Sequence, residues 1–228
     1  MRTEQDVQEF LRQRFGSNNA QAYVFMSALF LDYGTPATVI SDQGEFLGCN
    51  PASRMLMLGE DRLLQGATLF DVLPRAFAKE RLGYVRNVIE ARTPMRVKSV
   101  IRGRSYHCCM RPFPPDADLM VLVVSTPSHC MLGRCTGADI IEATEKDWGP
   151  LAALTPRERE ILGLLGAGLS IGAIASHLHR GVKTIETHRT AIGRKLKVRT
   201  RTHLTQIAMI AGLCEPPNEI APHPIDRI

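Results

Sequence analysis

What this 228-residue chain lacks narrows its class first. It has no run of about 18 apolar residues, so no membrane-spanning helix is expected. The opening MRTEQDVQEFLRQRF is polar and charged, unlike a secretory signal. Its six cysteines (49, 108, 109, 130, 135 and 214) follow no spacing typical of a secreted disulfide framework. Paired carboxylates in a catalytic context, a glycine-rich phosphate loop and a nucleophile motif are all missing, so an enzyme is not expected. There is no low-complexity tract and no internal repeat. Residues 36–127 also lack the alternating strand–helix units and clustered acidic residues that a phosphoacceptor pocket needs. A length of 228 residues with 44% hydrophobic content fits one or two ordinary cores.

What is present is concentrated in residues 154–213, LTPREREILGLLGAGLSIGAIASHLHRGVKTIETHRTAIGRKLKVRTRTHLTQIAMIAGL, which read as four short helices. Thr155 followed by Pro156, with Glu158 three residues after the cap, is a capping-box start. Ile161, Leu162, Leu164 and Leu165 supply the apolar stripe, and Gly166 and Gly168 end it. A second helix over 170–178 buries Ile171, Ile174, Ala175 and Leu178. The turn over 179–182 is short and contains Gly181, the form a helix-turn-helix takes.

The third helix, over 183–196, divides into two faces at about 100° per residue. Ile185, Ile192 and Leu196 face inward, while Glu186, Thr187, Thr190, Ala191 and Arg194 face out. Small, polar and basic groups on an outer face suit base edges and phosphates in a DNA major groove. Glu186 either accepts from a cytosine amine or lies beside the groove. His188 is either a phosphate contact or a packing residue at the boundary. The fourth helix, over 201–213, is more apolar, with Leu204, Ile207, Ala208, Ile210 and Ala211.

Charge follows the same division. Residues 155–202 hold ten Lys/Arg and three Glu, a net +7, against +5 for the whole chain, so everything else carries −2. A module this basic is drawn to a phosphate backbone, and the attraction weakens with salt. The pieces LTPRERE, Ile174-Ala175 with Leu178, KTIETHR and RKLKVRTR together closely resemble the LuxR/GerE-type helix-turn-helix of bacterial transcription regulators. The resemblance implies base contacts at Glu186, Thr187 and Thr190. It implies backbone contacts at Lys183, Thr184, His188, Arg194 and Lys195, and dimerisation through Leu204, Ile207, Ile210 and Ala211. Gly181 stands where the family usually has Ser or Thr, so a capping hydroxyl is missing there.

The front half reads as strands and helices in another order. PATVIS and Phe46-Leu47-Gly48-Cys49 are strands about the turn DQGE. Asn50-Pro51 opens a helix with Met55, Leu56 and Leu58 on its apolar side. LFDVLP makes one more helical turn. A long helix follows over 76–91, with Phe77, Leu82, Val85, Val88 and Ile89 directed to the core. Strands over 95–101 and 105–113 flank an Arg102-Gly103 turn, and 119–125 is apolar enough for a central strand. The pieces ISDQGEFLGCNPASRMLML, GATLFDVLP and DLMVLVVSTP resemble a PAS domain, which implies a module that encloses a ligand or dimerises. Cys49 precedes Asn50 at a strand end and the long helix has no His, so neither flavin-adduct nor haem chemistry is supported. His107-Cys108-Cys109, and His129-Cys130 with Cys135, tempt toward a metal or redox site. Adjacent strand residues point to opposite faces, however, and cysteine in strands is mostly a small buried apolar group.

The expected organisation is α+β, a PAS-like antiparallel sheet with helices followed by an all-α four-helix LuxR-type domain. The boundaries expected are a helical segment at 1–34, the PAS-like module at 35–128, a connection at 129–150, the helix-turn-helix at 151–214 and a Pro-rich tail at 215–228. A short amphipathic helix is expected within 138–147. The expected partners are double-stranded DNA and a second copy of the chain, in the cytoplasm and without a membrane. The signal is a small molecule or a protein. No cofactor or metal is expected, and a small ligand of unknown identity in the PAS-like module stays open. The rival expectation is a regulator controlled by a protein partner, whose front half takes no small molecule.

Overall fold

The computed structural model describes residues 34–59, 64, 66–113, 120–128 and 140–214. The expectations for residues 1–33, for His129, Cys130 and Cys135, and for the tail beyond 214 lie outside the described residues. Two compact units form, the second carrying the helices that follow Trp148.

The first unit is a six-stranded sheet with helices. Its strands are β1 (Ala37–Ser41), β2 (Phe46–Cys49), β3 (Met95–Ile101), β4 (Arg104–Pro112), β5 (Met120–Pro127) and β6 (Ile140–Glu142), in the spatial order β2-β1-β5-β4-β3-β6. β1 runs antiparallel to β2 and to β5, with Val39 opposite Leu122. β5 runs antiparallel to β4, with Met110 opposite Val123. The apolar run that suggested a central strand is therefore flanked on both sides, and Val121 and Val123 are buried. Arg102 and Gly103 both take positive φ (50° and 74°), the backbone that a two-residue hairpin turn requires.

Between β2 and β3 lie α1 (Pro51–Leu58), α2 (Leu69–Val72) and α3 (Arg75–Ala91). Asn50 does more than cap α1. Its Oδ1 accepts from the Ser53 N–H at 2.9 Å and from the Ala37 N–H at 3.1 Å, and its Nδ2 donates to the Thr35 carbonyl at 2.8 Å. One side chain thus joins the helix start to the strand β1. That anchoring turns Ser53, Arg54 and Leu56 inward and leaves Met55 half exposed, against the expected apolar side. The buried Arg54 donates to the Cys49 carbonyl at 2.8 Å.

Two further differences appear. The stretch 138–147, expected to be helical, supplies β6 instead. Ile140, Ile141 and Glu142 pair in parallel with Arg96, Val97 and Lys98. The open edge of β3 offers backbone partners, consecutive isoleucines favour extended chain, and Lys98 meets Glu142 across the pair at 3.0 Å. Arg81 of α3, absent from the expected core, is 7% exposed. Its guanidinium lies 4.0 Å from the Phe77 ring centroid and donates to Ser99 of β3.

The neighbouring Glu80 secures the chain that leaves β6. Its carboxylate accepts from the Thr144 N–H at 2.7 Å, the Glu145 N–H at 3.2 Å, the Tyr84 hydroxyl at 2.9 Å and Arg81 at 2.8 Å. Burial pushes the Glu80 carboxyl up, but the Thr144 N–H, the Tyr84 hydroxyl and the Arg81 guanidinium outweigh it and hold it below its ordinary range. Burial and the same carboxylate push the Tyr84 phenol up to about 12.

The second unit is all-α: a 3₁₀ segment (Gly149–Ala153), then α4 (Pro156–Gly166), α5 (Ile171–His177), α6 (Val182–Leu196) and α7 (Arg201–Ile210). Its core joins Leu151 and Leu154 to Ile161, Leu162, Leu165, Ile174, Ile185, Ile192, Leu204 and Ala208. Close approach of α4 and α7 explains two glycines. A Cβ on Gly163 would sit 2.6 Å from the Leu213 carbonyl oxygen, and one on Gly166 would sit 2.5 Å from the Ala208 Cβ. In the turn before α6 the positive φ falls on His179 (50°), not on Gly181, which has φ −68°. The fold class is as expected, a mixed sheet-and-helix unit followed by a helical one.

Glu80→Ala is expected to destabilise the first unit by about 2 kcal/mol, read as a lower urea midpoint at pH 7. The native carboxyl titrates below its unfolded value, so its contribution is complete above about pH 5 and fades as pH falls through the folded value. The advantage of wild type over Glu80→Gln should therefore shrink on going from pH 7 to pH 3. A gap that stays constant over that range would remove the carboxylate as its source.

Candidate nucleic-acid interface

The interface is built on α6. Ile185 and Ile192, seven residues apart, are both fully buried and fix which side of the helix turns inward. Lys183, Thr184, Glu186, Thr187, Thr190 and Arg194 are exposed, and His188 and Lys195 are half-buried. The helix starts at Gly181 with no side-chain cap, as the missing hydroxyl implied. The other helix starts of the unit are capped: Thr155 accepts from Glu158, Ser170 from Ala173 and Thr200 from His203.

On the exposed face both threonine hydroxyls turn back on the helix. Thr187 Oγ1 donates to the Lys183 carbonyl at 2.9 Å, and Thr190 Oγ1 to the Glu186 carbonyl at 3.0 Å. Beside Thr190 opens a cleft of about 520 Å³ whose walls carry Arg189, Arg194, Lys197 and Arg199, with Gly193, Val198 and Leu204. Lys197 is the left-handed cap of α6 (φ 57°), and that conformation brings Lys197 and Arg199 back alongside the helix. Among the described residues no carboxylate pairs with Arg180, Lys183, Arg189, Arg194, Lys197 or Arg199, whereas Arg157 is spent on Glu160 and Lys195 on Glu158. The sequence put Arg189 on the helix flank, serving phosphate or an acidic neighbour, and showed Lys197 and Arg199 only as charge, because nothing there showed that one cleft gathers the three.

Lys195 stands apart from the other cations. Its Nζ lies 2.6 Å from Glu158 Oε2, the same oxygen that accepts from the Thr155 N–H at 2.7 Å. Glu158 is 4% exposed. Burial pushes its carboxyl up, but the Lys195 ammonium together with the Thr155 N–H and hydroxyl outweighs that, so it titrates below the ordinary carboxylate range. The ion pair ties the last turn of α6 to the first turn of α4.

Of the four residues expected on a dimer face, Leu204 and Ala211 are 2% and 1% exposed, packed into this unit's own core. Both are buried, so they have no surface left for a second copy. Ile207 is partly buried against the same core and Ile210 is half-buried.

Among its described residues the first unit gathers no comparable constellation. Cys108 is buried, and burial pushes its thiol up despite the Ser125 hydroxyl 3.4 Å away. Among the described residues no three His, Cys, Asp or Glu side chains come together as a metal site would require.

Residues 152–208 match the model for bacterial regulatory proteins of the luxR family (GerE), so this segment is a LuxR-type helix-turn-helix domain. The chain is 36% identical over 119 residues to the transcriptional regulatory protein FixJ of Rhizobium meliloti, which covers 52% of this chain and 55% of FixJ. It is 45% identical over 60 residues to the transcriptional regulatory protein MctR of Rhizobium johnstonii, covering 26% of this chain and 28% of MctR. The chain thus spans about half the length of FixJ and less of MctR. A solved complex of Vibrio cholera VqmA with ligand and DNA is 20% identical, covers 83% of this chain and 89% of that one, and has a TM-score of 0.46.

Lys195→Met should destabilise the second unit by about 1.5–3 kcal/mol, seen as a lower thermal midpoint, because a buried carboxylate loses its charged donor. The double variant Lys197→Ala with Arg199→Ala should leave the midpoint unchanged. It should reduce the slope of log affinity against log salt for a DNA duplex by about 2. A lowered midpoint with an unchanged slope for that double variant would make the cleft a packing feature.

Proposed function

We propose that this chain is a DNA-binding transcriptional regulator in which the first unit, a PAS-like module, senses a signal and sets how the helix-turn-helix engages DNA as a homodimer. The observation that carries the reading is the exposed face of α6. It presents Glu186, Thr187 and Thr190 between cations that no carboxylate neutralises among the described residues. A rod of this kind fits a major groove, with its polar centre on base edges and its cations on the two phosphate rows. The match to the luxR-family model over this segment, and its likeness to the transcriptional regulatory proteins FixJ and MctR, support the same reading.

In this reading Lys183, Thr184, His188 and Arg194 meet the DNA backbone, joined by Arg189, Lys197 and Arg199 of the cleft. Lys195 acts through Glu158, holding the recognition helix in place. Ile207 and Ile210 carry the subunit contact on α7, since Leu204 and Ala211 are spent internally. Two recognition helices must then sit about one DNA turn apart, roughly 34 Å. A signal that favours one dimer arrangement shifts the population that can meet that spacing. The site of action is the cytoplasm, on chromosomal DNA. The signal is a small molecule held in the first unit or a protein docked on it; native mass spectrometry of freshly purified protein separates the two by showing a bound small molecule or none.

Light scattering on the chain with a duplex selected from a random library should give two protein copies per duplex. Ile210→Glu should reduce that to one copy and weaken binding while leaving the thermal midpoint in place. A strict wild-type monomer on its best duplex would defeat the dimer reading. A chain that prefers no duplex over any other would defeat the regulator reading as a whole.

A further inference from the structure

Resting on the reading of α6 as a major-groove helix, we propose that Glu186, Thr187 and Thr190 form an acceptor-only surface that selects adenine or cytosine on the contacted strand and rejects guanine there. The argument turns on where the hydroxyl hydrogens go. A threonine hydroxyl has one hydrogen to donate and lone pairs to accept with. Thr187 gives its hydrogen to the Lys183 carbonyl and Thr190 gives its own to the Glu186 carbonyl, at 2.9 Å and 3.0 Å. Each side chain is left to offer oxygen lone pairs and a methyl group. Glu186, ionised, has no donor at all, and among the described residues no Lys or Arg pairs with it.

These three side chains are neighbours. Residues 186 and 190 are four apart, and 187 and 190 are three apart, so they lie on one surface of the helix. Donors flank it, Lys183 one turn before, Arg194 one turn after and Arg189 in the cleft beside Thr190. In the major groove adenine offers its N6 amine and cytosine its N4 amine, whereas guanine presents N7 and O6, both acceptors. An amine against this surface completes a hydrogen bond without disturbing the helix. A guanine there sets lone pair against lone pair, and at Glu186 sets a negative charge against them. Thr187 or Thr190 can accommodate guanine only by withdrawing its hydrogen from the backbone. Guanine is therefore confined to the flanks of the core, where Lys183, Arg189 and Arg194 can donate to it.

The test uses the full chain and a duplex selected from a random library. Replacing each core adenine by purine, which lacks the 6-amine, should weaken binding about tenfold or more at the contacted positions. 7-Deazaadenine, which keeps the amine and loses N7, should bind like adenine. Thr187→Val preserves shape and methyl but removes the lone pairs, so it should make binding indifferent to the amine at its position. Glu186→Gln gains a donor and should admit guanine at its position. Both residues are exposed, and circular dichroism melts check that the variants keep their fold. A selected core with guanine opposite these residues, losing affinity when 7-deazaguanine replaces it, would overturn the inference while leaving the regulator reading intact. Failure to select any duplex would overturn both.

Discussion

Where α4 begins, one nearly buried carboxylate oxygen accepts from the Thr155 N–H and from the Lys195 ammonium together. Glu158 thus completes the cap of the first helix of the unit and anchors the end of the third. The two tasks reinforce one another. Burial raises the free energy of the ionised carboxylate, and the donors that offset that cost come from both helices, so neither can drift without exposing an unpaired charge. The outward face of α6 inherits its direction from this joint and from Ile185 and Ile192 beneath it.

The first unit uses the same device at Glu80, whose carboxylate gathers Arg81, Tyr84 and two backbone N–H groups from the segment after β6. In both units a single acidic residue on a helix holds a piece of chain distant from it in sequence. Close-packed alternatives serve elsewhere. Gly166 lets α7 lie against α4, and Gly163 admits Leu213 just after α7, at separations that a side chain would prevent.

The expected LuxR-type domain was legible because its signals are local. Thr155-Pro156 with Glu158, the Ile/Leu stripe and Ser170 each specify backbone within a turn or two, and the structure places a cap at each of the two start positions named. The front half was legible for similar reasons at Asn50-Pro51, at the Arg102-Gly103 turn and at the apolar run that became β5. The failures share a different cause. Ile140–Glu142, within the stretch expected to be helical, became strand because an open sheet edge, distant in sequence, offered partners. Met55 and Arg54 exchanged places because Asn50 bonds to Ala37 and Thr35. Lys195 was expected on the DNA backbone, and only a carboxylate 37 residues away gave it an internal role.

The sequence by itself determined most of the segments that are helix or strand, where most helices start, that the positive charge is gathered in one element, and which residues line the outer face of α6. Those features depend on periodicity and on neighbours within a few residues. Only the tertiary structure decided which of the charges stay available and which apolar residues of α7 are already consumed. Each of these depends on what a side chain meets once the chain has folded, and an interaction between distant positions leaves no periodic trace along the chain.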